Sequence, residues 1–328
     1  MITEPTVLVV GAGASKPFGF PIGTDLKERI CLELLDTKTD VHTIINEYNG
    51  LQLQSFVKDL KYSGFYSVDA FLEVRQEYEQ IGKRAIAAIL LEEEARNENH
   101  LFDSNTWFQY LFNILTNNSK NLESFQSNKI SVITYNYDRA IEYYLFTALK
   151  SSFGKPDQEI KTAMENLNII HLHGSLGKLP WQGGKYPFNY THFDGSVNSQ
   201  AVREATQSRR SIERKRTILC QATEVATDTI KIIHEVELKN DVQFQNAIQA
   251  LNEAKNVYFL GFGFSETNLK RLDYPNWNNL AKCAGTIYGT DAQTKNFLRD
   301  EFFGKVQTSF EGYEKTCYDF LRSDAVFK

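Results

Sequence analysis

Cysteine is scarce in this chain and never paired. Cys31, Cys220, Cys283 and Cys317 stand far apart with no Cys-x-x-Cys among them, which excludes a disulfide framework and a four-thiolate zinc site. They read as reduced packing residues. No apolar run approaches the ~20 residues a helix needs to cross a bilayer, so no membrane is expected. Met1-Ile-Thr-Glu-Pro-Thr6 has no basic segment leading into an apolar stretch; no secretory signal is expected, and the localisation read from this is cytoplasmic. Positive charge is in deficit too. The 36 Lys and Arg against 41 Asp and Glu leave a net of −5, without the field that drives sequence-independent nucleic-acid binding. Direct nucleic-acid binding is therefore not expected. Internal repeats, Gly/Ser linkers and low-complexity tracts are also missing, and nothing divides the 328 residues into independent units.

What is present has the grammar of a parallel sheet. Thr6–Val10, Ile130–Thr134, Asn168–His173 and Asn256–Leu260 are short β-branched or aromatic runs, each followed by a Gly- or Asn-containing turn and then helical periodicity. Gly285–Gly289 is read as a fifth. Apolar throughout and not alternating, such strands are covered on both faces. The predicted fold class is α/β: a Rossmann-like parallel sheet with helices on both faces and helical insertions, one domain over residues 1–328. The insertions fall at about 36–125 and 196–250. In the first, Phe71, Val74, Tyr78, Ile81, Ala85 and Ala88 recur at three- and four-residue steps, predicting a long amphipathic helix over Asp69–Glu94. The second is polar and holds a basic stretch from Arg203 to Arg216, read either as a solvated helix face or as a partner surface.

The chemistry-bearing residues gather where these strands end. Val7-Leu-Val-Val-Gly-Ala-Gly-Ala-Ser-Lys-Pro-Phe-Gly-Phe-Pro21 runs from a strand into a glycine turn. Gly11 and Gly13 let backbone N–H groups approach a diphosphate, and a helix start after them would add the positive end of its dipole. Lys16 stands where the dinucleotide fingerprint wants a third glycine, and no Gly-Lys-Ser/Thr closes a P-loop. A plain strand-to-helix turn is the alternative. Thr134-Tyr-Asn-Tyr-Asp138 puts Asn136 and Asp138 at a strand's carboxyl end, where open α/β sheets bind ligands; either can serve a ribose or simply cap the next helix.

In Ile169-Ile-His-Leu-His-Gly-Ser175, strand alternation puts His171 and His173 on one face. Only His173 abuts the glycine turn, and an imidazole there can accept a proton at neutral pH or act as a hydrogen-bonded packing residue. His171 is read as structural. No third ligand accompanies the pair, so no metal is expected. Val257-Tyr-Phe-Leu-Gly-Phe-Gly-Phe-Ser265 supplies a second glycine turn, with Gly261, Gly263 and Ser265 available to a phosphate or ribose. Asp291 of Tyr288-Gly-Thr-Asp291 either holds an adenosine ribose or caps a helix. Phe18, Phe20, Phe262 and Phe264 adjoin the two turns, as pocket walls or as anchors.

In their joint order, Gly-Ala-Gly-Ala-Ser, Thr-Tyr-Asn-Tyr-Asp, His-Gly and Gly-Phe-Gly-x-Ser, these motifs resemble the sirtuin (Sir2) family, especially the Sir2-like NADases of bacterial anti-phage defence. Gly11–Ser15 with Gly19-Phe-Pro21 looks like the sirtuin Gly-Ala-Gly-x-Ser…Gly-Ile-Pro segment, Asn136 and Asp138 match its Thr-Gln-Asn-Ile-Asp, and His173-Gly174 matches its catalytic His-Gly. The resemblance implies NAD+ as a substrate with no metal. It implies Asn136 and His173 as catalytic residues, and Gly11, Ala12, Gly13, Ser15, Pro21, Asp138, Gly261, Gly263 and Ser265 as nucleotide-binding; Asp291 is added to these by its place after the fifth strand. It also implies a homo-oligomer and a partner protein such as a HerA-type ATPase or a short Argonaute. Ile22-Gly23-Thr24 replaces the Asp-Phe-Arg of protein deacylases, and their four-cysteine zinc module is missing. The function expected is hydrolysis of NAD+ to nicotinamide and ADP-ribose; a non-catalytic sensing module for NAD or an ADP-ribose derivative, or an NAD-dependent protein deacylase, are the alternatives.

Overall fold

Strands β1 (Thr6–Val10), β2 (Ile130–Thr134), β3 (Asn168–His171), β4 (Asn256–Leu260), β5 (Lys282–Thr286) and β6 (Phe310–Tyr313) form one parallel sheet in the computed structural model. It describes residues 1–45, 48–117, 121–188, 209–235, 240–277, 279–302 and 310–328. The strand order is β3-β2-β1-β4-β5-β6. The chain thus winds outward from β1 to β3, then returns to the other side of β1 with β4. That reversal opens a crevice at the carboxyl ends of β1 and β4, the usual ligand position of a doubly wound sheet.

Among the described residues the helices are α1 (Gly23–Glu33), α2 (Asp40–Ile45), α3 (Gly50–Tyr62), α4 (Val68–Val74), α5 (Glu79–Asn97), α6 (Trp107–Thr116), α7 (Leu122–Gln126), α8 (Ala140–Phe153), α9 (Asp157–Glu165), α10 (Arg209–Thr229), α11 (Val242–Glu253), α12 (Glu266–Arg271), α13 (Ala292–Phe297) and α14 (Cys317–Ser323). Several begin at a side-chain cap: Asn49, Ser67, Thr106, Asn121, Asp241, Asp291 and Thr316 each accept a backbone N–H from the first turn. Strand alternation divides the core. Leu8, Val10, Val132 and Leu260 face the layer built from α1, α5, α6 and α8, whereas Val7, Val9, Ile133 and Phe259 pack against α11 and the aromatic group of Phe264, Trp277 and Phe302.

Four sequence expectations change. The third strand, expected over Asn168–His173, leaves the ladder at His171, so Leu172 and His173 lie beyond it. The fifth strand is Lys282–Thr286, because Cys283-Ala-Gly-Thr286 is buried on the sheet behind a half-buried Lys282 while Tyr288 and Gly289 are exposed in the turn beyond. A sixth, Phe310–Tyr313, escapes a search for apolar runs because its central Glu311 and Gly312 are exposed. The single amphipathic helix over Asp69–Glu94 is instead α4 and α5, broken at Arg75, whose φ of −112° and ψ of 67° are not helical. Val74, assigned to its buried stripe, is 64% exposed.

Helix α5 has no solvent stripe at all. Every residue from Ile81 to Ala95 is buried, enclosed by α1, α2, α4 and α10. Its charges are matched by partners remote in sequence: Lys83 with Glu235 at 3.0 Å, Glu93 with Arg29 at 2.5 Å, and Glu94 with Arg139 at 2.5 Å. Of the basic stretch, residues 203–208 lie outside the described residues, and Lys215 and Arg216 reach Asp40 on α2 at 3.7 and 2.7 Å. No described helix is long and apolar enough to cross a membrane.

The Glu94–Arg139 pair, 0% and 2% exposed, fastens α5 to the turn after β2. Removing one partner of such a pair strands a buried charge, at roughly 3–5 kcal/mol. Glu94→Ala is therefore expected to lower the urea midpoint sharply at unchanged slope, and Glu94→Ala combined with Arg139→Met to recover part of the loss. An unshifted midpoint in Glu94→Ala would contradict this.

Candidate functional site

Two glycine turns meet at the head of the crevice. The N–H of Gly11 donates to the carbonyl of Leu260 and that of Gly13 to the carbonyl of Gly261, both at 3.0 Å. A Cβ on Gly11 would stand 2.7 Å from the Gly261 oxygen. Gly261 has a φ of +54°, and a Cβ there would run into the backbone of Gly13 and Ala14. Glycine is thus demanded first by one backbone crossing another. The N–H groups of Ala14 and Ser15 turn back to the carbonyls of Gly11 and Ala12. A 3-10 turn, Ala12–Ala14, occupies the place where a helix start was expected, and α1 begins only at Gly23. The dipole of that expected helix is therefore not at this turn. Pro21, half-buried, lies just ahead of α1.

Three residues from two distant motifs form one network beneath this crossing. The Asn136 carboxamide donates through Nδ2 to the carbonyl of Gly11 (3.1 Å) and to Ser15 Oγ (2.9 Å). Ser15 Oγ in turn donates to Asp138 Oδ2 at 2.9 Å, and Asp138 Oδ1 accepts the N–H of Ala140 at 3.2 Å. Asp138 therefore accepts the first N–H of α8 and fixes Ser15 together. Burial pushes its carboxyl up to about 6, against the lowering effect of those two hydrogen bonds. With Nδ2 committed, the Oδ1 of half-buried Asn136 is the part of the amide left to meet a water or a hydroxyl.

His173 lies two residues past the end of β3, which neighbours β2 in the sheet. It is 5% exposed, with Tyr135 and Phe244 rings at 5.6 and 5.9 Å. Its Nδ1 has no hydrogen-bond partner among the described residues. Burial, assisted by the positive charge of Arg271, lowers its pKa to about 4, so the ring is a neutral base at physiological pH. His171, two residues earlier, bridges instead: Nδ1 is 2.9 Å from the Asn136 carbonyl and Nε2 is 2.6 Å from Glu142 Oε1.

The segment Thr229–Glu235 walls this region. Lys231 N–H donates to the His173 carbonyl at 2.8 Å, and Thr229 Oγ1 to the Ser175 carbonyl at 2.7 Å. Gly174, with a φ of +73°, leaves no room for a Cβ against the Thr229 carbonyl. Arg271 donates through both Nη atoms to the Ile233 carbonyl at 3.1 Å and has no carboxylate partner among the described residues. Neither the wall nor Arg271 is legible in the sequence; a basic residue closing the short helix after the glycine turn is the faint signal for the latter.

The second glycine turn borders an open cavity of about 480 Å³ lined by Gly263, Phe264, Ser265, Thr294, Phe297 and Asp300 among others. Among the described residues nothing lies within 4 Å of where a Gly263 Cβ would stand, and Ser265 heads α12 without spending its hydroxyl on a cap bond. Asp291 does cap: it accepts from the N–H and hydroxyl of Thr294 at 2.9 and 2.8 Å. Phe18, Phe20 and Phe262 are buried anchors, whereas Phe264 is buried and also edges the cavity. Asn136 and His173 are not in its lining. Among the described residues no cluster of three or more His, Cys, Asp or Glu is arranged to hold a metal.

No curated protein matches this chain. Residues 130–273 match the family model described as a SIR2-like domain, a span that contains Asn136, Asp138, His173, Gly261, Gly263 and Ser265 but not the first glycine turn. The chain thus carries a SIR2-like domain on an all-parallel Rossmann-like sheet, which implies NAD binding and NAD-related activity.

Proposed function

We propose that the protein hydrolyses NAD+ at the nicotinamide–ribose bond. The observation that carries this reading is that two groups with no hydrogen-bond partner among the described residues stand just past the ends of adjacent strands: the Asn136 amide oxygen and the Nδ1 of buried, neutral His173. As the bond from C1′ to the pyridinium nitrogen breaks, its electron pair stays with the ring and nicotinamide leaves neutral. Asn136 orients water, or the ribose hydroxyls, against the oxocarbenium-like sugar that remains. The water adds to C1′ and its proton passes to His173, directly or through a ribose hydroxyl. ADP-ribose results, or a cyclised form where an internal nucleophile replaces water.

The cavity beside Gly263 falls within the usual 300–1,000 Å³ range of small-ligand sites and suits the adenosine half. For the nicotinamide end to reach His173, Tyr135 or the Thr229–Glu235 wall has to move, so the described arrangement is a closed one in this reading. Such closure accords with an NADase kept off until triggered. By its sirtuin resemblance we place it as an effector that depletes NAD+ in anti-phage defence, working as a homo-oligomer with a partner such as a HerA-type ATPase or a short Argonaute. The same burial of His173 favours a second reading, a module that senses NAD or an ADP-ribose derivative without cleaving it.

Nicotinamide release from NAD+ by the purified protein, assembled with any activating partner, separates the two. Asn136→Ala and His173→Ala are each expected to lower the rate by about 10²–10⁴-fold, with nucleotide binding retained. Calorimetric binding without turnover under every condition would select the sensing module, and undiminished turnover in both variants would overturn the residue assignments.

The state of His173 is checked separately by NMR titration. Its ring is expected to stay neutral from pH 7.5 down to about 5 and to titrate near 4. Because the folded value lies below the unfolded ~6.5, its contribution to stability is present above the unfolded value and is lost as pH falls through the folded one. A midpoint near 6.5 would show a solvated ring.

A further inference from the structure

Both nitrogens of His171 face groups that only accept. The Asn136 backbone carbonyl lies 2.9 Å from Nδ1 and the Glu142 carboxylate 2.6 Å from Nε2. A neutral imidazole carries one N–H and would set a lone pair against one of these acceptors. The pair is also enclosed, with side chains 13% and 7% exposed. We propose that His171 is an imidazolium held by Glu142, and that it acts as a positioning residue, fixing the peptide of Asn136 and thereby aiming the Asn136 amide. This rests on the role given to Asn136 above.

The rest of Asn136 is tied to groups that keep one charge state at neutral pH. Its N–H donates to Thr134 Oγ1 at 3.0 Å, and its Nδ2 to Gly11 and Ser15. Of its direct partners only the one at its carbonyl titrates; Asp138, reached through Ser15, has a carboxyl pushed up to about 6 and is ionised throughout the alkaline side. The charges facing His171 are acidic: Glu142 on α8 and Asp138 on the turn after β2. The nearby Arg139 guanidinium is drawn to Glu94 through Nε and Nη2. Burial disfavours the charged ring, but Glu142, by charge and hydrogen bond, the Asn136 carbonyl and Asp138 together raise its pKa above the ordinary value. For a raised histidine, the stabilisation is complete below the unfolded value and disappears as pH rises through the folded one. Support for Asn136 is thus withdrawn on the alkaline side.

The test begins with two-bond ¹H–¹⁵N correlation spectra of the labelled full chain, in which the His171 signal is identified by its loss in His171→Asn. The expected result is an imidazolium pattern at pH 7, with a midpoint above 6.5 in the native protein that falls in Glu142→Gln. A neutral tautomer at pH 7 overturns the proposal. These spectra need no turnover, so they stand or fall apart from the hydrolase reading. In nicotinamide release, His171→Asn retains a donor able to reach the Asn136 carbonyl, whereas His171→Leu does not. His171→Leu is expected to lose about 10–100-fold in kcat, the scale of one hydrogen bond from a charged donor, with KM for NAD+ little changed, and His171→Asn to recover most of it. Equal losses in the two variants at equal urea midpoints would overturn the proposal, as would an alkaline limb of wild-type kcat that persists unchanged in Glu142→Gln.

Discussion

The contact on which the site depends is the crossing of two backbones at the head of the sheet. Gly11 and Gly13 press against Gly261 closely enough that hydrogen bonds at 3.0 Å join the turns directly. That crossing locks the turn after β1 to the turn after β4 at the point where the winding reverses. It also presents the Gly11 carbonyl to the Asn136 amide, and through that amide the hydroxyl of Ser15 and the carboxylate of Asp138 are brought into line. A side chain at Gly261 would separate these turns and so disturb residues that it never touches.

Two histidines on one strand end have been given opposite environments. His171 sits among carboxylates and a carbonyl, which favour its charged form. His173, two positions on, sits among aromatic rings with Arg271 nearby, which favour the neutral one. Strand alternation in the sequence puts both on one face and distinguishes them only by their distance from the glycine turn. The structure separates them by what covers them. A structural imidazolium behind Asn136 and a neutral base beyond it are compatible demands on one short strand, since the chain between them leaves the ladder at His171.

Much of the fold was legible because the central strands announce themselves. β1, β2 and β4 are uniform apolar runs ending in glycine or polar turns, and their limits agree with expectation. β5 and β6 are obscured by small or exposed residues, Ala284, Gly285, Glu311 and Gly312. α5 departs from the amphipathic pattern for a physical reason: Lys83, Arg84, Glu92, Glu93 and Glu94 look like a solvated face in one dimension. They are buried in three, where Glu235, Glu224, Arg29 and Arg139 arrive from elsewhere in the chain and Arg96 of the same helix reaches back to Glu92. The candidate site shows the same division. Asn136, Asp138 and His173 stood out as residue types at strand ends, whereas Glu142, Arg271 and the Thr229–Glu235 wall acquire meaning only from tertiary neighbours. Asn136 itself turned out to hold the first turn rather than cap a helix.

The proposed hydrolysis requires one amide and one imidazole to converge on the anomeric carbon of bound NAD+. A crystal structure of His173→Ala with intact NAD+ tests it most directly. Hydrolysis as proposed places C1′ beside position 173, with Asn136 Oδ1 on a water or ribose hydroxyl that stands about 3–3.5 Å from the reacting carbon, and the Thr229–Glu235 wall or Tyr135 displaced. A nucleotide seated with its nicotinamide ribose remote from both positions would contradict it.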